Sequence, residues 1–457
     1  MNQAQALTIL KTGANVFLTG EPGSGKSHTI HEYAAYLRAR GIEYAITAST
    51  GIAATQIEGR TIHSWSGLGI ASRLDKYAID RIASNEHVVK RVSRAKVLVI
   101  DEISMLGSEI LSMLDAVLQE IKRNLEPFGG LQVILVGDFF QLPPIVKKDK
   151  AGGRQTELFA SKPGQFAYKS PVWDRFNPVV CYLTEQYRQS DFDFLDLLGA
   201  IRGNCFNEKH LLRIESRKIE SGRAPVNAPK LYSHNRDVDR VNAEMLARLP
   251  GPAKSFFMST RGPKALVEPL KKGCLSPEKL ELKVGAAVMF TKNSPQQGFV
   301  NGTLGVVKDF NRFNGNPIIK TRAGELIEAS PLEWALKENN HILALIEQIP
   351  LRLAWAITVH KSQGMSLDEA AMDLSQVFEY GQGYVALSRV RKLAGIYLLG
   401  YNERAFQVHP EILEKDKEFR LISEQSDQAF SKLSTIELKK MLDNFIVACG
   451  GKPSSDK

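Results

Sequence analysis

Cysteine is scarce in this 457-residue chain. The four present, Cys181, Cys205, Cys274 and Cys449, include no C-x-x-C pair and no histidine at ligand spacing. A disulfide scaffold and a structural zinc site are therefore set aside, and a reducing compartment fits. Long apolar runs are also missing: no stretch approaches the roughly 20 residues of a membrane-spanning helix. The first residues, MNQAQALTILKTGANVFLTG, have no apolar core behind a basic start, so no secretory or transit signal is expected and the location expected is cytoplasmic, at the nucleoid in a bacterium. Acidic charge is in deficit. Fifty Asp and Glu face 59 Lys and Arg, and the net +9 suits a polyanionic partner as readily as it serves plain solubility. Hydrophobic residues at 43% and charged residues at 24% leave a disordered chain out of consideration. The length accommodates about three domains of roughly 150 residues.

What is present is an α/β alternation. Val16 to Thr19, Tyr44 to Thr47, Val97 to Ile100 and Gln132 to Val136 read as strands, with a helix over Lys26 to Arg40. From about 66 to 94 the sequence turns charged and irregular, as an insertion would. A second α/β unit starts near Phe192, with a strand at Lys230 to Tyr232 and a helix at Val238 to Arg248. Between about 250 and 345, short runs punctuated by Pro and Gly, such as KVGAAVMFTKN and NGTLGVVKDF, read as a β-rich module. The α/β pattern resumes at LRLAWAIT and ends at IYLLG. After about Pro410 the chain is charged and helical, and its last helix starts with the capping box Ser434-Thr435-Ile436-Glu437. Ile436, Met441, Leu442, Phe445 and Ile446 give that helix one apolar face, which is expected to pack on the body of the same chain.

The chemistry is carried by a series of motifs. Gly20-Glu-Pro-Gly23-Ser-Gly25-Lys26-Ser27 matches G-x-x-x-x-G-K-[ST] between a strand and a helix, the context that makes the pattern a phosphate site. Its glycines let backbone N–H groups turn toward phosphate oxygens, Lys26 neutralises the β- and γ-phosphates, and Ser27 can ligate Mg²⁺. Asp101 and Glu102 close the apolar strand VLVI. Asp101 would hold Mg²⁺ through water, and Glu102 would orient and deprotonate the attacking water, so the reaction is hydrolysis of ATP. Gln141, in GDFFQLPP at the end of LQVILVG, is placed to sense a γ-phosphate by hydrogen bonding.

The ordered series GEPGSGKS, TASTGIAA, TIHSW, VIDEISM, GDFFQLPP, LTEQYRQ, AITVHKSQG and GYVALSRVR resembles the superfamily 1B helicases related to RecD. Within them it resembles the petite-integration-frequency (PIF) family of 5′-to-3′ DNA helicases, which act in replication, repair or recombination. Residues 108 to 127, continuing into FGGLQ, and LYSHNRDVDRVN resemble that family's own segments. The resemblance implies two RecA-like P-loop NTPase domains, 1–191 and 192–249 with 346–405. It adds a wedge insertion at about 66–94, an Src-homology-3-like β insertion at 250–345 and a helical tail at 406–457. Arg188 and Arg389 would be arginine fingers. Gln3 resembles the adenine-reading glutamine, although Gln5 lies two residues away, and Gln363 and Gly364 would face the nucleotide.

The resemblance further implies single-stranded DNA and forked or tailed duplexes as partners, gripped by a monomer. The contacts would be Ser49, Thr50, Gly51, Thr61 and His63 in the first domain, and Thr358, His360, Lys361 and Ser362 in the second. These hydroxyl, backbone and basic groups suit phosphates rather than bases. The family usually has proline where this chain has Ser49. Trp65 and Phe299 are either stacking residues or core. Two alternatives stand beside the helicase: a P-loop ATPase that remodels protein or acts as a switch, and a nucleic-acid-binding protein with a degenerate nucleotide site.

A stripe of positive charge near Thr50, His63, His360 and Lys361 should make binding to a labelled single strand salt-dependent. Anisotropy titrations at several salt concentrations should give a log–log slope of about 0.7 per neutralised phosphate. A flat response would make the basic balance incidental.

Overall fold

Strands that are apolar at every position belong in a sheet covered on both faces, and VFLTG and QVILV are buried along their whole length. The computed structural model describes residues 1–57, 59–69, 74–144, 166–187, 191–220, 225, 228–232, 235–299, 301–338, 341–359, 362–363 and 365–452. It divides into two compact units, one comprising 1–50, 59–187 and 410–457, the other 51–58 and 188–409.

The first unit is built on a six-stranded, all-parallel sheet of β1 (Val16–Gly20), β2 (Tyr44–Ala48), β3 (Arg60–Thr61), β4 (Val97–Asp101), β5 (Gln132–Val136) and β6 (Val179–Leu183). Their order is β3-β2-β4-β5-β1-β6. The carboxyl ends of β2, β4, β5 and β1 therefore lie side by side, roughly 4.8 Å from strand to strand. The loops GEPGSGKS, TASTGIAA, VIDEISM and GDFFQLPP leave from these four ends, which is where ligands bind in such sheets.

The insertion expected to be irregular is helical. Helices Lys76–Ala83 and Glu86–Arg94 start at the side-chain caps Asp75 and Asn85, and they bury Ile82, Val88 and Val92. The abundant charge on their outer faces conceals this spacing in the sequence. The segment resembling the family signature forms the helix Ser108–Lys122 and a turn at Pro127–Gly130. Buried Asp115 fastens the two: it accepts from the Phe128 N–H at 2.6 Å and from Arg175 at 2.6 Å. It thereby holds Phe128 in a left-handed conformation at φ 54.

The C-terminal helices complete this unit. Phe419 of the helix Pro410–Ser431 packs 4.9 Å from Phe17 and 6.1 Å from Phe139, in a ring cluster with Tyr168 and Trp173. Ser423 accepts the Tyr182 N–H at 3.0 Å, occupying part of the free edge of β6. The last helix, Thr435–Ala448, has the anticipated capping box. Phe445 and Ile446 join the core beside Leu37 and Ile42. Ile436, however, is 81% exposed and Met441 is also open to solvent, so only part of the apolar face is covered.

The second unit has a four-stranded parallel sheet ordered Ala356–Thr358, Lys230–Tyr232, Ala370–Leu374, Ile396–Tyr401. Inserted in it is a β module whose main sheet runs Leu326–Glu328, Pro317–Thr321, Leu304–Phe310, Ala287–Phe290, Leu351–Leu353, all antiparallel. The run LRLAWAIT is split between these sheets. Leu351–Leu353 pairs with Ala287–Phe290, whereas Ala356–Thr358 pairs with Lys230–Tyr232. The return to the α/β sheet thus comes later than 346, because Trp355 packs into the module's core and turns the chain there.

Removing Phe419 should unseat the tail. Phe419→Ala should cost the first unit about 3–5 kcal/mol, a normal loss for a buried aromatic. Chemical denaturation followed by tryptophan fluorescence should show an early transition.

Candidate nucleotide and DNA site

The phosphate loop is shaped by backbone that only glycine accepts readily: Gly20, Gly23 and Gly25 have φ of 144°, 92° and 90°. Gly25 caps the helix Lys26–Ala39, so the first free N–H groups of that helix open onto the loop. Lys26 folds back over it, donating to the carbonyls of Gly20 at 2.8 Å and Glu21 at 3.0 Å. The buried Ser24 hydroxyl has no partner among the described residues. A cradle of turned amides, a cation at its mouth and an orphaned hydroxyl fit the phosphates of a nucleoside triphosphate.

Gln3 and Gln5 separate cleanly. Gln3 donates from Nε2 to the Ser24 carbonyl at 3.2 Å, and a Cβ on Gly25 would fall 1.9 Å from that nitrogen, so Gln3 lies on the loop. Gln5 is used locally: its Oε1 accepts the Asn2 N–H at 2.7 Å, in the capping box of the helix Gln3–Lys11. Two residues that sequence reasoning left out also hold the loop. Gln186 donates to the Glu21 carboxylate at 2.8 Å, and the Tyr187 N–H donates to the Gly23 carbonyl at 3.0 Å. Both lie in LTEQYRQ, where attention went to the arginine that follows.

Asp101 ends β4, two strands from the loop, with β5 between. Burial pushes its carboxyl above the ordinary range, against the Glu102 N–H at 2.8 Å and the positive charges of Lys26 and then His31. A carboxylate that is costly to keep charged, held beside a lysine, suits a divalent cation, and Ser27 lies in the first turn of the helix that starts at Lys26. Glu102 has φ 54 and ψ 47, a left-handed backbone rare for a non-glycine residue. On β5's loop, Asp138 is fully buried and accepts the Phe140 N–H at 3.2 Å, while its carbonyl accepts the Gln141 N–H at 3.0 Å. Lys26, Asp101, Glu102 and Gln141 are thus brought to one end of one sheet.

The residues assigned to DNA have mixed placements. Ser49 spends its hydroxyl on the Glu102 carbonyl at 2.7 Å. Thr50 is half-buried, and Gly51 opens the helix Gly51–Gln56. Thr61 accepts the Ser64 N–H at 3.2 Å and caps the short helix that bears His63. Trp65 and Phe299 are core: Trp65 is buried, and Phe299 stacks 4.0 Å from Phe290. In the second unit Thr358 and Gln363 are buried, and Ser362 donates to the Val359 carbonyl at 2.8 Å. Arg389 is 1% exposed, with Nε on the Val385 carbonyl and Nη2 on the Ser388 hydroxyl, both at 2.9 Å. Arg188, His360, Lys361 and Gly364 lie outside the described residues.

A family model described as PIF1-like helicase matches residues 1–206, and one described as the 2B domain of the DNA helicase Pif1 matches residues 265–310. A Psychrobacter protein named ATP-dependent DNA helicase Pif1 is 38% identical, with 99% of this chain and 75% of that protein aligned. The Xenopus laevis ATP-dependent DNA helicase PIF1 is 37% identical over 90% of this chain, which spans 63% of that protein's length. Among solved structures, Bacteroides Pif1 with ADP-AlF4 superposes with a TM-score of 0.78 at 28% identity, covering 92% of this chain and 97% of that one. Bacteroides Pif1 with ADP-AlF3 and single-stranded DNA gives a TM-score of 0.61 at 28% identity, covering 92% and 96%.

The two glutamines should part in kinetics. Gln3→Ala should raise the KM for ATP with little change in melting temperature. Gln5→Ala should leave KM unchanged while destabilising the first helix by about 1 kcal/mol, the usual worth of a cap. Steady-state ATPase assays and thermal melts on both variants check this.

Proposed function

The chain belongs to the PIF1-like helicase family, and we propose that it is an ATP-dependent DNA helicase that translocates 5′ to 3′ on single-stranded DNA and unwinds duplexes ahead of it. The observation that carries this reading is the convergence of Lys26, Asp101, Glu102 and Gln141 on neighbouring strand ends, with Ser49 and Thr50 leaving the next strand. Hydrolysis machinery and a DNA-assigned segment share one sheet edge. Direction rests on the family resemblance.

In this mechanism Gln3 meets the adenine, and the glycine loop and Lys26 bind the phosphates. Ser27 and Asp101 would hold Mg²⁺, which when bound neutralises charge on the β- and γ-phosphates. Glu102 takes the proton from the attacking water, and Gln141 registers whether a γ-phosphate is present. Arg188 and Arg389 supply positive charge to the transition state, a contribution worth about 10³–10⁵ in rate for such residues. The DNA grips are Thr50, Gly51, Thr61 and His63, with Thr358, His360, Lys361 and Ser362, whereas the Ser49 hydroxyl is spent on Glu102. The helical insertion of 66–94 acts as the strand-separating wedge, the β module covers the DNA path, and the monomer is the working unit. Base stacking averages about 1.4 kcal/mol per step, so one ATP per base pair suffices.

A protein-remodelling ATPase would show turnover indifferent to DNA. The expected result is strong stimulation of ATPase by single-stranded DNA, abolished in Lys26→Ala. Unwinding should occur on duplexes with a 5′ tail and fail on those with only a 3′ tail; the opposite preference would refute the polarity.

A further inference from the structure

Ser49 is the first residue after β2, in the segment assigned to DNA, yet its polar groups face the acidic motif. Its N–H donates to the Asp101 carbonyl at 3.1 Å, and its hydroxyl donates to the Glu102 carbonyl at 2.7 Å. That carbonyl also accepts the Met105 N–H at 3.2 Å, and the Glu102 N–H donates to Asp101 Oδ1 at 2.8 Å. Both backbone polar groups of Glu102 are thus engaged, in a left-handed conformation that L-residues adopt only when their surroundings hold them there. The direction in which the Glu102 carboxylate points follows from that backbone. Rotating the peptide after Glu102 would break the Ser49 bond.

We propose that Ser49 is a positioning residue that links DNA occupancy to the orientation of Glu102; this rests on the helicase reading above. The argument is one of donors. A phosphate oxygen accepts hydrogen bonds and donates none, while a serine hydroxyl has a single proton, and Ser49 gives it to Glu102. Ser49 therefore cannot donate to a phosphate while it holds the catalytic turn. The phosphate is left to its neighbours in the segment, Thr50 and Gly51. A phosphate drawn to them displaces Ser49 through the chain itself, and two hydrogen bonds pass the displacement to the Asp101–Glu102 peptides. Proline at this position would have neither the N–H nor the hydroxyl.

The test compares Ser49→Ala, Ser49→Thr and Ser49→Pro in the full chain, using ATPase rates with and without saturating oligo-dT and oligo-dT affinity by anisotropy. Ser49→Ala should lower kcat at saturating DNA by about 3- to 30-fold, the span expected for coupling residues. KM for ATP and Kd for oligo-dT should stay within about twofold of wild type, since no binding group is removed. Ser49→Thr should restore kcat, and Ser49→Pro should fall at least as far as Ser49→Ala. An unchanged kcat in Ser49→Ala would overturn the proposal. So would a weakened Kd with kcat at saturation preserved, which would make Ser49 a direct DNA contact, or a loss that threonine does not rescue. If DNA fails to stimulate wild type, the helicase reading is what fails; equal DNA-free kcat in wild type and Ser49→Ala would then still refute positioning of Glu102.

Discussion

A carboxyl placed where burial disfavours its charge is the constraint on which the nucleotide site rests. Asp101 sits at the end of a strand buried along nearly its whole length, and desolvation alone would drive its carboxyl toward the neutral form. What opposes this is local: one backbone N–H from the next residue and the ammonium of Lys26, whose helix starts on a different strand's loop. Those charges meet because β5 alone separates β4 from β1. Sheet order, rather than any single contact, sets the distance between the Asp101 carboxyl and the Lys26 ammonium.

The same order explains why the aromatic cluster matters to chemistry. Phe139 lies two residues before Gln141 and is enclosed by Phe17 on β1, by Phe166, Tyr168 and Trp173, and by Phe419 from the tail. The loop that carries Gln141 is thus anchored by side chains contributed from several distant stretches of chain. Rings packed edge-on and offset leave few alternative arrangements, which suits the γ-phosphate sensing proposed for Gln141.

Much of this was legible in the residues. Five elements of the first unit were placed within a residue or two, since continuous apolar runs bounded by Gly and Asp leave little choice in a parallel sheet. The motif series pointed to candidate ATP residues because phosphate chemistry dictates local spacing. What remained hidden depended on partners far along the chain. Ala370–Leu374 is poor in strand-forming residues and becomes a strand through its two neighbours. Leu351–Leu353 and Ala356–Thr358 read as one strand until pairing divides them. Gln3 and Gln5 were equivalent until one was found in a helix cap. The hydroxyl of Ser49 gave no local sign that it turns toward Glu102, because that contact spans 53 residues of sequence.

The tail's place in the first unit bears on how the protein comes into being. Residues 410–457 finish a unit whose other parts, 1–50 and 59–187, leave the ribosome more than two hundred residues earlier. Until Ser423 and Phe419 arrive, the Tyr182 N–H lacks its partner and the ring cluster around Phe139 lacks a member. At the usual pace of about 5–20 residues per second, that interval lasts on the order of ten seconds or more, with one donor of the strand edge in the open. The first unit is thus completed only after the residues of the second, 188–409, have been made.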